Sequence, residues 1–486
     1  FLIGNALLQQ KKITASIGFY RAAIVLCPNY PSGLNNLALA YKEKNQIQQT
    51  LCLLDRASKF SPKLAEIFNN KGHALLQLQQ YEEALDAFNK AIELKGDFEL
   101  AYNNKGAAFK SLERYDESLD CFQMAIEIKK DYFDAYNNKA AVLAELARFE
   151  EAKSCVKEAL NFSPGNPILY SNLSNLEVGL GSFENAVVCC KKALVLQPGF
   201  DTATDQLGNI LKQAHEFERA SYYFSLMPYN RQAVAKSLEC LYEAKLYTKL
   251  NSSLEKVAHS DKTNIRVAAV SAYFSHQLNK PDPYKFCPDP LSFFHVGHLS
   301  NYVENTDSFI TKLLSEVDKK RLIWEPRNKT THAGFQSDNR IFESGNYLGK
   351  LEDVLSREIY KFYSNHRSDD CFLVKLWPKS YSLKGWFVRL IENGHQDSHI
   401  HPAGWISGVV YLKTIKNPKN NEGSIELSLR GYNLPIIDPD YPKLIFQPKD
   451  GDIILFPSSL FHSTIPVRSK TERCVIAFDM YPDVRN

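Results

Sequence analysis

The sequence predicts an α + β multidomain protein: an all-α superhelix of short helix pairs, then a double-stranded β-helix, or jelly roll, with flanking helices. Two observations predict it. Small, aromatic and proline positions recur every 34 residues up to about residue 240, as stacked helix pairs require. After about residue 280 that period stops. Short β-branched or aromatic runs then alternate with loops rich in Pro, Asn, Lys and Gly, the pattern of an antiparallel double sheet.

The repeat comes first. Asn69-Asn70-Lys71-Gly72 returns as Asn103-Asn104-Lys105-Gly106 and again as Asn137-Asn138-Lys139-Ala140. The small residue at this phase runs Gly4, Ala38, Gly72, Gly106, Ala140, Ser174, Gly208. An aromatic phase runs Tyr81, Tyr115, Phe149, Phe183, Phe217, and a second small phase Ala84, Ser118, Ala152, Ala186, Ala220. Small residues let two helices approach closely, and Pro62, Pro164 and Pro198 stand where a helix must stop. One pair cannot bury its apolar face, so pairs stack. The period and phases resemble the tetratricopeptide repeat family. Such a solenoid is expected to hold another polypeptide. The copies decay after about Arg231, and the following stretch reads as capping helix.

An amide stands two residues before the small phase: Asn36, Asn70, Asn104, Asn138, Asn172, then Gln206. At one helical phase per repeat these line one face, and an amide both donates and accepts, as a peptide main chain needs. The ladder resembles the peptide-binding asparagines in the repeats of the nucleocytoplasmic O-linked N-acetylglucosamine transferase. The resemblance makes Asn36, Asn70, Asn104, Asn138 and Asn172 candidate substrate-binding residues. The other reading is that the amides tie adjacent helices together.

The expected organisation is a solenoid over 1–240, capping helices and linker over 241–284, and a jelly roll over 285–486. Pro-rich residues 276–294 read as linker or clamp. Helices are expected at Ser308–Val317 and Tyr347–Ser364. Strands are expected at Phe372–Leu376, Gly385–Ile391, Trp405–Leu412, Ser424–Leu429, Asp452–Phe456 and Arg473–Tyr481.

The chemistry gathers where histidine does. Of 12 histidines, three fall in His395-Gln396-Asp397-Ser398-His399-Ile400-His401. Residues i and i+2 of a strand share a face, so either His395 with Asp397, or His399 with His401, can offer two ligands to one metal. His462 follows the apolar run Ile453–Phe456 and Pro457 and is the candidate third ligand. Paired ligands plus a distant His form a facial triad that leaves positions open for substrate and dioxygen. Arg473 opens the next strand, and a guanidinium there suits a carboxylate.

That order is the pattern of Fe(II)/2-oxoglutarate dioxygenases. His399-Ile400-His401-Pro402, Trp405–Leu412, Phe456–His462 and the earlier Trp324-Glu325-Pro326 with Thr330-Thr331 resemble a bacterial and phage group of these oxygenases, over roughly residues 285–486. The resemblance implies Fe(II) held by His399, His401 and His462, with His395, Asp397 and His462 as the other ligand set. It implies 2-oxoglutarate bound through Arg473. The wider superfamily's Ser two residues after this Arg is Val475 here, and Tyr411 is a candidate replacement hydroxyl. Trp386 and Trp405 read as core or pocket wall, and His332 as a loop residue, a place at the pocket mouth being the other reading. The expected reaction is hydroxylation of a peptide or protein by dioxygen. A scaffold with a degenerate metal site, the same oxygenase acting on a small molecule, and zinc hydrolysis are the alternatives. No general-base Glu is evident for the last.

Composition sets limits. A formal net charge of +3 gives no reason to expect nucleic acid. No apolar run approaches the roughly 20 residues of a membrane span. The ten cysteines are scattered without zinc-ligand spacing, which suits free thiols in a reducing, cytoplasmic setting. The chain opens inside a helical pattern, so the true N-terminus is expected to lie further upstream.

Overall fold

The computed structural model describes residues 1–326, 329–343 and 345–483. They form two compact units, Phe1–Ile210 and Leu211–Asn486.

The first unit is a series of antiparallel helix pairs, for example Ala65–Gln77 with Tyr81–Leu94, then Glu99–Ser111 with Tyr115–Ile128. The small phase meets the residue 16 positions later. An added Cβ at Gly72 would lie 2.6 Å from Phe88, one at Gly106 2.7 Å from Phe122, and one at Gly4 2.7 Å from Tyr20. Where the small residue is Ala38 or Ala140, the partner shortens to Leu54 or Val156 in the same apolar clusters. Ser174 instead sets its hydroxyl 3.0 Å from Cys190 Sγ. The repeat conserves the summed volume across the helix contact, as a close-packed interior demands.

A left-handed residue closes the first helix of each pair: Lys11, Asn45, Gln79, Glu113, Ala147, Gly181 and His215. The next, Lys245, follows His215 after 30 residues instead of 34, and Asn279 restores 34. The slip has a local cause. Helix Phe217–Ser225 has 9 residues where its counterpart Phe183–Leu196 has 14. The sequence period is therefore lost near Arg231 although helix pairing continues through Arg231–Glu243 with Tyr247–Ser260, and then Ile265–Gln277.

These last helices belong to the second unit and brace its sheet. Tyr242 and Tyr273 hydroxyls donate to Pro435 O at 3.0 and 2.9 Å, and Gln277 bonds both ways with the Ile437–Asp438 backbone. Ala269 packs on Ile400, Phe461 and Tyr432. The Pro-rich segment is a clamp: Tyr284 and Phe286 are fully buried, and the Tyr284 hydroxyl bridges Asn264 N and Asp261 O.

The strands are β1 (His295–His298), β2 (Ile323–Trp324), β3 (Thr331–Gln336), β4 (Tyr381–His399), β5 (Ile406–Lys413), β6 (Ile425–Ser428), β7 (Lys443–Phe446), β8 (Asp452–Pro457), β9 (Phe461–Thr464) and β10 (Arg473–Pro482). They pair antiparallel in the order β1-β8-β5-β10-β4-β9-β6-β7, with β3 on β4 and β2 on β3. The sheet curls into a jelly-roll-like body, flanked by helices Thr306–Val317 and Asn346–His366. One expected strand is a helical turn instead, Phe372–Lys375. Its first amides bond to Lys285 O and Phe286 O, and Leu373 O receives the Trp405 indole N–H. Five residues, four of them apolar, are too few for periodicity to separate strand from helix.

Candidate metal centre and carboxylate pocket

β4 and β9 bring the first two histidines together. His399 and His462 are direct register partners, and their rings lie 4.3 Å apart. His401 follows in the turn after β4, with its ring 5.1 Å from His399 and 5.0 Å from His462. That turn is tight: a Cβ at Gly404 would lie 2.7 Å from Ser458 Oγ. One nitrogen from each ring falls within 4.8 Å of the other two, a group able to hold a metal ion.

Each ring is oriented from behind. His399 Nδ1 lies 2.6 Å from Asp397 O, His462 Nδ1 3.1 Å from Leu460 O, and His401 Nδ1 2.5 Å from Asp479 Oδ1. With Nδ1–H donating in all three, each Nε2 lone pair is left for a metal. Asp479 also accepts from the Ser407 hydroxyl at 2.7 Å and the Tyr481 hydroxyl at 3.3 Å. Burial, with His401 next, pulls His399 down to about 4. Burial, then His399 and His401, holds His462 well below the ordinary imidazole range. Neutral imidazole is the ligating form.

The other ligand set of the sequence reading, His395, Asp397 and His462, is not brought together. β4 bulges between Gln396 and His399, so Gln396 and His399, three apart, both line the cavity. Asp397 is thereby turned away, with His395, toward His332 on β3. His332 is thus a strand residue, not a loop residue.

The same cavity reaches Arg473 and is lined between by Val409, Val475, Ala477, Ile425 and Trp386. Trp386 stands 5.4 Å from His401, as pocket wall, whereas Trp405 is buried elsewhere. Arg473 is 2% exposed. Its Nε donates to Gly423 O at 2.9 Å and its guanidinium lies 5.1 Å over the Tyr411 ring. Arg473 Nη1 and the Tyr411 hydroxyl are buried without a hydrogen-bond partner. Burial raises the Tyr411 phenol against the opposing pull of Arg473. Val475 is the direct neighbour of Tyr411 in the β5–β10 register. A buried cation with a bare N–H at the end of an apolar cavity fits a carboxylate.

Sequence reasoning missed Asp479, Ser407 and Gly423. Asp479 carried a signal: it is the one acid in the apolar run Cys474–Met480, and it shares a strand face with Arg473.

Along the amide ladder, Asn36 Nδ2 donates to Asn5, Asn70 to Asn35, Asn104 to Asn69 and Asn138 to Asn103, at 2.9 to 3.0 Å. Asn172 donates to Asn137. Ser171 donates to Gln206 Oε1 at 2.6 Å. The amide N–H groups thus tie successive repeats, while the five asparagines remain half-buried.

Comparison with known families agrees with both parts. The family described as "Putative 2OG-Fe(II) oxygenase" matches residues 384–479. Tetratricopeptide repeat families match 4–45, 65–98, 100–132 and 133–166. The chain therefore carries tetratricopeptide repeats in its N-terminal part and a domain of that oxygenase family toward its C-terminus. No curated relative matches. Among solved structures, a thermophilic repeat protein of Thermus thermophilus is 19% identical, over 38% of this chain and 100% of its own, at TM-score 0.34. A tetratricopeptide repeat protein from Parabacteroides merdae is 18% identical, over 46% and 88%, at 0.39. YrrB, described as having an unusual peptide-binding site, is 22% identical, over 38% and 95%, at 0.31.

Proposed function

We propose that this chain, a fusion of tetratricopeptide repeats with a domain of the 2OG-Fe(II) oxygenase family, hydroxylates a peptide or protein that its repeats recruit. One observation carries the metal chemistry: three histidines converge with every Nδ1 tied to an acceptor behind it. The residues fit the group the family implies. His399, His401 and His462 would hold Fe(II), and Arg473 would take the far carboxylate of 2-oxoglutarate. Bound iron and cosubstrate supply the oxidising power for C–H hydroxylation, with succinate and carbon dioxide as coproducts.

The protein's own contribution is position and dryness. Asp479 holds His401 in one tautomer and places a negative charge next to an otherwise neutral ligand set. The apolar wall of Val409, Ile425, Val475 and Ala477 keeps water from the space between histidines and arginine. Arg473, pinned by Gly423 O and stacked on Tyr411, fixes how far a dicarboxylate reaches toward the histidines.

The peptide reading rests on the repeats and on Asn70, Asn104 and Asn138, half-buried residues whose amide N–H groups make the inter-repeat bonds. Anaerobic titration of the full chain with Fe(II) and 2-oxoglutarate tests the enzyme reading. A charge-transfer band in the green is expected, lost in His462→Ala, with succinate formed on admitting oxygen. No band and no succinate would sink it.

A further inference from the structure

The sheet holds a second group of metal-ligand composition, His332, His395 and Asp397. Its members come from two neighbouring strands. His332 on β3 and His395 on β4 are direct register partners, and Asp397, two residues on, shares that face. The backbone is shaped here on both strands. The register slips between His332 and Gly334: β4 runs from His395 back to Leu390 opposite Ala333 alone, and Ala333 takes φ of 44°. On β4, Asn393 takes φ of 67°. Gly394 lets the strands close, since a Cβ there would lie 2.7 Å from Ala333 O. Bulges re-aim side chains, and here they stack the two imidazoles, 4.8 Å apart and 23° from parallel.

The polar atoms converge on one carboxylate. His332 Nε2 lies 2.7 Å from Asp397 Oδ2, and His395 Nε2 3.7 Å from Asp397 Oδ1. His395 Nδ1 lies 3.1 Å from Asn393 O; with Nδ1–H donating there, Nε2 keeps a lone pair that a cation shared with Asp397 would take up. His399 and His462 are oriented by the same device.

We infer that His332, His395 and Asp397 form a second metal site, which takes a borderline divalent cation such as Zn2+ and completes its coordination with water. Two imidazoles and a carboxylate suit that ion. The ligand atoms all lie within 4.8 Å of one another. The side chains are 46%, 34% and 62% exposed, so a hydrated ion reaches them directly. A plain His332–Asp397 ion pair is the competing account. Exposed ion pairs stabilise little, and such a pair needs only one of the two imidazoles that face Asp397.

The site is separate from the three-histidine centre. The β4 bulge between Gln396 and His399 puts the two groups on opposite faces, and no buried cation accompanies the outer one among the described residues. It would clamp β3 to β4 and hold Asp397, whose carbonyl orients His399.

Metal stoichiometry tests the site without reference to turnover. Metal-free, untagged full chain is titrated with Zn2+ by calorimetry and equilibrium dialysis. Wild type is expected to bind two equivalents, His332→Ala one, His462→Ala one, and the double variant none. Asp397→Asn is a second probe, and unchanged circular dichroism melts show that the variants fold. A single wild-type equivalent that survives His332→Ala and vanishes in His462→Ala overturns the outer site and leaves the proposed function standing. A stoichiometry of two in both His332→Ala and Asp397→Asn also overturns it. One equivalent that vanishes in His332→Ala but survives His462→Ala supports the outer site and overturns the inner metal centre.

Discussion

Asp479 Oδ1 lies 2.5 Å from His401 Nδ1, and Asp479 is itself only 2% exposed. A carboxylate thus stands behind a ring of the three-histidine group and not among its ligand atoms. Its register partner Ser407 and the nearby Tyr481 hydroxyl hold it there. Asp479→Asn keeps the shape but removes the charge and disturbs the His401 tautomer. Metal affinity is expected to fall about 10–100-fold, read by Fe(II) or Co(II) titration, with the fold intact. Unchanged affinity would mean that Asp479 serves packing alone.

Arg473 predicts a different phenotype. Its bare Nη1 would bond a ligand carboxylate, and charge-assisted bonds contribute about 1.5–3 kcal/mol each. Arg473→Gln should weaken 2-oxoglutarate binding by one to two orders of magnitude, roughly the span of one such bond, while Fe(II) binding stays as in wild type. Loss of both together would place Arg473 in the framework of the site.

Protonation should unfold the metal-free protein in a definite window. His399 titrates at about 4 in the folded chain, because of burial and then His401, against about 6.5 for an unfolded imidazole. Its folded value is depressed, so the unfolded chain binds more protons between these limits. The stabilisation is present above about pH 6.5 and is lost as pH falls toward 4. His462 acts in the same direction. Melting temperature should drop between pH 7 and pH 5, and less steeply in His399→Asn. Equal slopes would show that other groups dominate.

The repeats make a packing prediction. Gly72 lies under Phe88 with no room for a methyl group, yet Ala38 tolerates Leu54 and Ala140 tolerates Val156 at the same phases. Gly72→Ala should destabilise by about 1–3 kcal/mol through overpacking, despite the better helix propensity of alanine. Adding Phe88→Leu should recover part of that loss, a favourable coupling of about 0.5–3 kcal/mol in a double-mutant cycle. Additive effects would refute the volume pairing.

The two kinds of periodicity were unequally legible. The 34-residue phase is written in single residues, so Gly72, Gly106 and the asparagine ladder could be read directly. It faded where helix Phe217–Ser225 is short, because a slip of four residues moves every phase at once. In the sheet, the candidate ligand types were visible but their faces were not. Strand alternation alone leaves His395 with Asp397 and His399 with His401 equivalent. The bulge between Gln396 and His399 breaks that equivalence, and a bulge depends on partner strands distant in sequence. β9, four residues bearing His462, was too short to read as a strand at all.

The asparagine ladder separates recruitment from architecture. Asn104 Nδ2 donates to Asn69 at 2.9 Å, and Asn70 and Asn138 repeat the bond to Asn35 and Asn103. Removing these amides therefore costs stability whatever else they do, about 1 kcal/mol per bond. Their Oδ1 atoms are the part that a peptide N–H could use. The triple variant Asn70→Ala, Asn104→Ala, Asn138→Ala should melt earlier and also lose the peptides that wild type retains from an immobilised library. The Fe(II) and 2-oxoglutarate band of the C-terminal domain should be unchanged. Well below the melting transition, stability and recruitment become separate readouts. A variant that melts earlier but retains the same peptides would assign the ladder to holding repeats together and move recruitment to another surface.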